Sequence, residues 1–312
     1  VDENSDEPIG GLFGTAVAAS VAASFGLLGG VAVSGAGASV HNAVSNNSEA
    51  FITNARLTAY NGNIDAIATN DTLLKARIVT VAAAVSGGIV AGAGSIGVSI
   101  LSSTVGGENA ADRAHRTRAV STGSVLNAGR DVTIKADAKE EHRIEAATAS
   151  VAVAIGIGGS VAGAGIGVSA SNYSTVEAIS QNSLIFATGD IDVLSFAETL
   201  VNDDVLNGSG STMVGVAMSV GLHAIAINVS ILRVDVENTS HAIVEHAGYV
   251  GKVLEAGGDI TVDADSISRL IDLNGVGVAI SAGGIAATGG GLEITLKVNN
   301  SVQAMIDLSG KD

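Results

Sequence analysis

Five long stretches of this 312-residue chain, residues 8–48, 78–107, 146–176, 205–232 and 273–292, contain no Asp, Glu, Lys or Arg. The stretches begin 70, 68, 59 and 68 residues apart. A spacing this regular, and this long, restricts the chain to an internally repeated architecture in which each unit buries its apolar surface against its neighbours. The units run over residues 8–77, 78–145, 146–204 and 205–272, with 273–312 an incomplete fifth. Together they read as one elongated repeat domain, 1–312, cut from a longer array.

Within the blocks, apolar residues recur with a period of two, the period of a strand. In the third block Val151, Val153, Ile155 and Ile157 share one face, and Ala152, Ala154, Gly156 and Gly158 share the other. Beyond the Gly158-Gly159 pair, Ile166 and Val168 alternate with Gly165, Gly167 and Ser169. Val79, Val81 and Val85 precede Gly87-Gly88 in the same way and are followed by Ile96, Val98 and Ile100. Val214, Val216, Met218 and Val220 lead to Ile225, Ile227, Val229 and Ile231, and Val276, Val278 and Ile280 lead through Gly283-Gly284 to Leu292, Ile294 and Leu296. The paired glycines supply the backbone freedom that a sharp corner needs. The Val/Ile columns are expected to fill the interior, so Ile157→Asp is expected to bury a charge and loosen the fold. The lack of charge on the Gly/Ala face predicts that it too is covered, by a further layer, a partner protomer or lipid.

Two further signatures follow the blocks. One is a polar strand with an apolar beat: Asn47-Ser-Glu-Ala-Phe-Ile52, Ser174-Thr-Val-Glu-Ala-Ile179, Asn238-Thr-Ser-His-Ala-Ile243 and Asn300-Ser-Val-Gln-Ala-Met305. The other places a turn Gly before an alternating strand and makes Ile64, Val132, Ile191 and Ile260 equivalent, 68, 59 and 69 residues apart. These features predict an all-β chain, a parallel β-helix or β-solenoid of about five degenerate repeats of roughly 60–70 residues, each unit forming about three coils of ~20. Residues 107–118 and 246–252 are expected to be inserted loops.

The composition limits function more than it defines it. Net charge is −16, from 31 acidic and 15 basic residues, which disfavours binding to nucleic acid. There is no Cys, and hence no disulfide and no thiolate chemistry. The histidines His41, His115, His142, His223, His241 and His246 show no metal-ligand spacing and read as solvated loop residues. Asp203 and Asp204 beside Asn202 and Asn207, and Asp263 with Asp265, are acidic enough to attract calcium, but the Gly-Gly-x-Gly-x-Asp calcium repeat is absent. With no Trp and with Tyr60, Tyr173 and Tyr249 far apart, the chain lacks the aromatic platform of many sugar-cleaving β-helices. Arg113, His115, Arg116 and Arg118 form one cationic cluster, read as a solvated loop. The expectation is no enzyme, with no catalytic, cofactor-binding or metal-binding residue and no cofactor.

The three signatures in this order resemble the repeat region of large secreted proteins of Gram-negative bacteria, the leukotoxin-like and filamentous-haemagglutinin-like adhesins. The resemblance spans essentially the whole chain and rests on low-complexity motifs. It implies a passenger of type V or two-partner secretion, exported through an outer-membrane transporter and held at the cell surface or secreted. The implied role is a stiff shaft whose repeats contact their neighbours and whose loops meet a host-cell surface or matrix. Identical copies in a filament, or a membrane-active toxin segment, are the alternatives.

Overall fold

The computed structural model describes residues 11–107, 115–201, 213–246, 253–271 and 273–308. The first coil contains β1 (Gly11–Phe25), β2 (Gly29–Val44), β3 (Asn47–Thr53) and β4 (Arg56–Ala59). The second contains β5 (Ile64–Gly87), β6 (Val90–Val105), β7 (Arg116–Thr122) and β8 (Val125–Ala128). The third contains β9 (Val132–Ile155), β10 (Gly159–Gln181) and β11 (Leu184–Ala187). The fourth contains β12 (Ile191–Val201), β13 (Met213–Val220), β14 (His223–Glu245) and β15 (Leu254–Ala256), and the fifth β16 (Ile260–Leu270), β17 (Gly275–Ala282) and β18 (Ile285–Asp307).

Every pairing is parallel and joins one coil to the next, so the chain is an all-β parallel solenoid. The first sheet runs β1-β5-β9-β12-β16, with β13 and β17 continuing it. The second runs β2-β6-β10-β14-β18, and the third, of short strands, β4-β8-β11-β15. Ile64 pairs with Val132, Val132 with Ile191 and Ile191 with Ile260, the equivalence expected from the turn-Gly signature. Those steps also show that one repeat is one coil. The expectation of three coils of about 20 residues is therefore corrected. The reason lies in strand length: β9 has 24 residues and β10 has 23, and at ~3.3 Å per residue each runs about 75–80 Å before its corner. Five coils at ~4.8 Å spacing rise only about 20 Å, so this stretch is a broad slab.

Two parts of the slab differ. In the body, the beginnings of β5, β9, β12 and β16, the ends of the second-sheet strands and the third sheet enclose a core that includes Ile64, Leu126, Val132, Ile134, Val176, Ile185 and Ile191. Beyond it the first two sheets continue face to face as a wing that ends at the Gly corners. Its outer core consists of Ala alone, among them Ala84, Ala93, Ala152, Ala162, Ala217 and Ala226.

The wing reverses the expected facing of most Val/Ile columns. Ala152 and Ala154 point inward, whereas Ile155 and Ile157 are 63% and 67% exposed and Val151 and Val153 lie half-buried on the outer face. Val81, Ile96, Val98, Ile100, Ile225, Ile227, Val229, Val276 and Ile280 also face out, while Ile166 and Val168 face in as expected. Close approach of the two sheets causes the reversal. A Cβ on Gly97 would lie 2.9 Å from Thr148 Cγ2, and one on Gly215 2.6 Å from Asn228 Oδ1, so small side chains are required at these points, whereas Ile78, Leu101, Ile166 and Leu232 fill the sheets' interior nearer the body. Short hydroxyls also bridge the gap: Ser99 donates to Thr80 Oγ1 at 2.8 Å, Thr148 to Ser99 at 2.6 Å and Ser150 to Ser95 at 2.9 Å, while Ser160 and Ser219 lie 2.7 Å apart. Each such bond is worth about 1 kcal/mol net, and an aliphatic column there would leave no partner for the others. The corner glycines are needed. Gly88 and Gly156 have φ of 153° and 147°, and a Cβ on Gly158 would fall 1.2 Å from the Ala91 carbonyl oxygen.

Candidate functional site

Where wing joins body, the strand alternation brings one polar residue per coil from each sheet into the interior. Thr72, Glu140, Thr199 and Ser268 form the first-sheet column, each the ladder partner of the next. Ser174, Asn238 and Asn300 form the second-sheet column, preceded by His115, whose carbonyl accepts from the Thr175 amide. The columns meet coil by coil: Ser174 donates to Glu140 Oε1 at 2.9 Å, Asn238 Nδ2 to Thr199 Oγ1 at 2.8 Å, and Asn300 Nδ2 to Ser268 Oγ at 3.1 Å. This explains why the copies beginning at Ser174, Asn238 and Asn300 open on Asn or Ser; in the first repeat the equivalent position is Asn46, since Asn47 pairs with Arg116 and Arg116 with Thr175.

His115 and Glu140 are fully buried, with Nε2 3.2 Å from Oε1. The Asn46 amide donates to His115 Nδ1 at 3.1 Å, and the Asn70 side-chain amide lies 3.0 Å from Nε2, beside the carboxylate. Glu140 Oε2 has no hydrogen-bond partner among the protein groups. Two positions further along β9, past Glu141, His142 is also fully buried, between the ladder partners Leu74 and Val201. Its Nδ1 lies 2.9 Å from Ser103 Oγ and its Nε2 3.5 Å from Asn172 Oδ1. Burial pushes its pKa from 6.5 down to about 4; the Asn172 hydrogen bond opposes the shift and the nearby His115 adds to it. Asn172 in turn donates to Thr199 and to Asn238, both at 2.8 Å. In the middle coils the layer is a buried network, open to solvent at the Ser268–Asn300 pair of the last coil, and a one-residue slip of either sheet would replace its partners with outward-facing residues.

The histidines are thus placed differently from the expectation. His115 and His142 are interior strand-region residues, His246 is nearly buried, and His41 and His223 are exposed. The segment His115-Arg-Thr-Arg-Ala-Val120 is the second repeat's copy of the polar-strand signature, since Ala119 pairs with both Ala50 and Ala178. Its charges made it look like a loop. Arg116 and Arg118 lie on β7, and Arg118 Nε pairs with Glu177 Oε2 on the next coil at 2.7 Å. Arg113, residues 108–114, Asn202, Asp203, Asp204, Asn207, Tyr249 and residues 247–252 lie outside the described residues.

The turn-Gly signature has its own ladder. Asp131 Oδ1 accepts the Asp190 amide at 3.0 Å, and Asp190 Oδ1 accepts the Asp259 amide at 2.8 Å, so each corner carboxylate caps the next coil. Asp263 and Asp265 lie on the outer face of β16. Among the described residues, no group of three or more His, Asp or Glu side chains is arranged to hold a metal ion. Nor is any helix long and apolar enough to cross a membrane, which leaves crossing by strands unaddressed. No family model, curated protein or solved structure matches the chain.

Proposed function

We propose that the chain is a non-enzymatic structural and adhesive segment of a secreted or surface-held bacterial protein of the leukotoxin-like or filamentous-haemagglutinin-like kind, a rigid shaft that presents inserted segments for attachment to a cell or matrix. The observation that carries this reading is how the ladder tolerates insertions. Val201 pairs with His142 and Met213 with Ala146, so eleven residues separate two ladder positions that only residues 143–145 separate on the neighbouring coil. On the other sheet Val105 pairs with Asn172 and Arg116 with Thr175, so ten residues separate two ladder positions that only residues 173–174 separate on the neighbouring coil. Register resumes on both sides of each insertion. A scaffold of this kind varies what it presents without altering what holds it together.

Stiffness follows from the same ladders. The β5–β9 pairing alone is continuous over 24 residues and the β10–β14 pairing over 23. Shearing adjacent coils requires breaking such a ladder along its whole length.

The test displays the chain on cells or beads and measures attachment to host cells and matrix proteins. In three variants residues 108–114, 202–212 or 247–252 are shortened to the span of the adjacent coil. Attachment is expected to fall in at least one variant with an unchanged circular dichroism spectrum. Attachment that is absent from the start, or unaffected in all three, refutes the adhesive reading.

A further inference from the structure

The outer face of the second sheet on the wing is corrugated. Strands β6 and β14 raise aliphatic ridges, Ile96, Val98 and Ile100 on one and Ile225, Ile227 and Val229 on the other, all 40–59% exposed. Between them β10 presents a furrow floored by Gly163, Gly165 and Gly167, which pair with Ile96, Val98 and Ile100 on one side and with Ile227, Val229 and Ile231 on the other. Beyond β6, β2 presents a second furrow at Gly35 and Gly37. A depression of about 290 Å3 opens between Ile100, Gly167 and Ile231.

The folded chain itself has no need of the furrow glycines. A Cβ on Gly163 or Gly165 would meet nothing closer than 3.9 Å, one on Gly167 nothing within 4 Å, and none of the three has a positive φ. Inward Gly97 and Gly215, by contrast, are enforced by contacts below 3.0 Å. Glycine weakens a strand interior, and where the strand does not require it, it marks a close approach from outside.

We propose that this face docks a second copy of the same chain, the ridge of one copy entering the furrow of the other. A two-fold axis parallel to the strands and midway between β6 and β10 sets β6 against β10 and β2 against β14. Because the strands are in register, Ile96, Val98 and Ile100 then face Gly163, Gly165 and Gly167, while Gly35 and Gly37 face Ile227 and Val229. The contact is isologous, so at these levels each ridge residue finds a furrow glycine, while one step outward Ile225 meets Val33 of the other copy. No Asp, Glu, Lys or Arg lies on these segments before Arg233 and Glu293, which keeps the −16 net charge out of the contact. Nine residues of strand across the four coils that face each other give about 570 Å2 of projected face per copy, the low end of specific interfaces and the size of a reversible contact. A lipid surface has no use for alternating ridges and furrows of fixed spacing.

Sedimentation velocity over a concentration series is expected to show a reversible dimer. Gly165→Leu fills the furrow without touching the monomer's own packing and is expected to raise the dissociation constant about 10- to 100-fold with an unchanged circular dichroism spectrum. Gly167→Leu serves as a second furrow variant should the first fail to fold. The double variant Gly165→Leu with Val98→Gly reverses ridge and furrow at one level and is expected to recover dimerisation. A wild-type chain that stays monomeric throughout, furrow variants that dimerise unchanged, or a monomer that instead floats with vesicles of phosphatidylcholine and phosphatidylglycerol would overturn the proposal.

Discussion

Acid is expected to destabilise this fold through His142 in particular. In the folded chain the ring is fully buried with a pKa of about 4, against 6.5 when solvated, so the unfolded state takes up the proton first. The stability associated with the neutral ring is complete above pH 6.5, declines as pH falls and is lost through pH 4. At about 1.4 kcal/mol per pH unit the gap amounts to about 3 kcal/mol. His142→Leu isolates this contribution, because its ladder partners Leu74 and Val201 already form an aliphatic column. The substitution leaves Ser103 Oγ and Asn172 Oδ1 without the ring, a cost carried at every pH. Guanidinium unfolding followed by circular dichroism at pH 7, 6, 5 and 4 would give both stability curves. The difference is expected to shift in favour of the Leu variant by about 3 kcal/mol between pH 7 and pH 4. Parallel curves would refute the assignment of His142 as a buried neutral ring.

The reversal of the wing faces predicts that Ile157→Asp, at a 67% exposed corner, changes stability by no more than about 0.5 kcal/mol. Ala152→Asp, fully buried between the sheets, is expected to cost about 3 kcal/mol or more by the same assay. Gly97→Ala pushes a methyl against Thr148 and the Ala149 carbonyl and is expected to lower stability by about 1–3 kcal/mol, visible as a lower melting temperature. Asp190→Ala removes one step of the corner ladder; the Asp259 amide can turn to water, so the loss is expected to stay near 1 kcal/mol.

Much of the architecture is legible in the sequence because strand period and repeat spacing are both properties of the chain alone. The spacing of Ile64, Val132, Ile191 and Ile260 identifies residues that become direct ladder partners. The paired glycines at 87–88, 158–159 and 283–284 fall at the wing corners. Facing is not legible in the same way. Alternation says that Val151 and Ala152 lie on opposite faces, and the assignment of the larger residue to the interior assumes sheets about 10 Å apart. The Thr148 contact at Gly97 shows that at this level the wing sheets approach too closely for that, while Ile166 and Val168 do point inward. The polar layer was half legible. Ser174, Asn238 and Asn300 recur visibly, but Glu140 stands in a charged run of residues 139–141 and His115 beside arginines. Those residues read as solvent-facing until the ladder places them opposite one another. Aligning Ala119 with Ala178 would have exposed His115 as the second repeat's Ser174.

The central claim is that one repeat makes one coil, so that residues about 60 positions apart are adjacent. The chain has no Cys, so introduced thiols report without background. Thr133 and Asp192 are direct partners on the outer face of neighbouring coils, at the Cα spacing a disulfide tolerates. Mild oxidation of the Thr133→Cys, Asp192→Cys double variant is expected to give a fast intramolecular disulfide, detected as a cross-linked peptide by mass spectrometry. The Thr133→Cys, Val153→Cys pair, about one 20-residue coil apart, is expected to give none. Cross-linking of 133 to 153 and not to 192 would contradict the account.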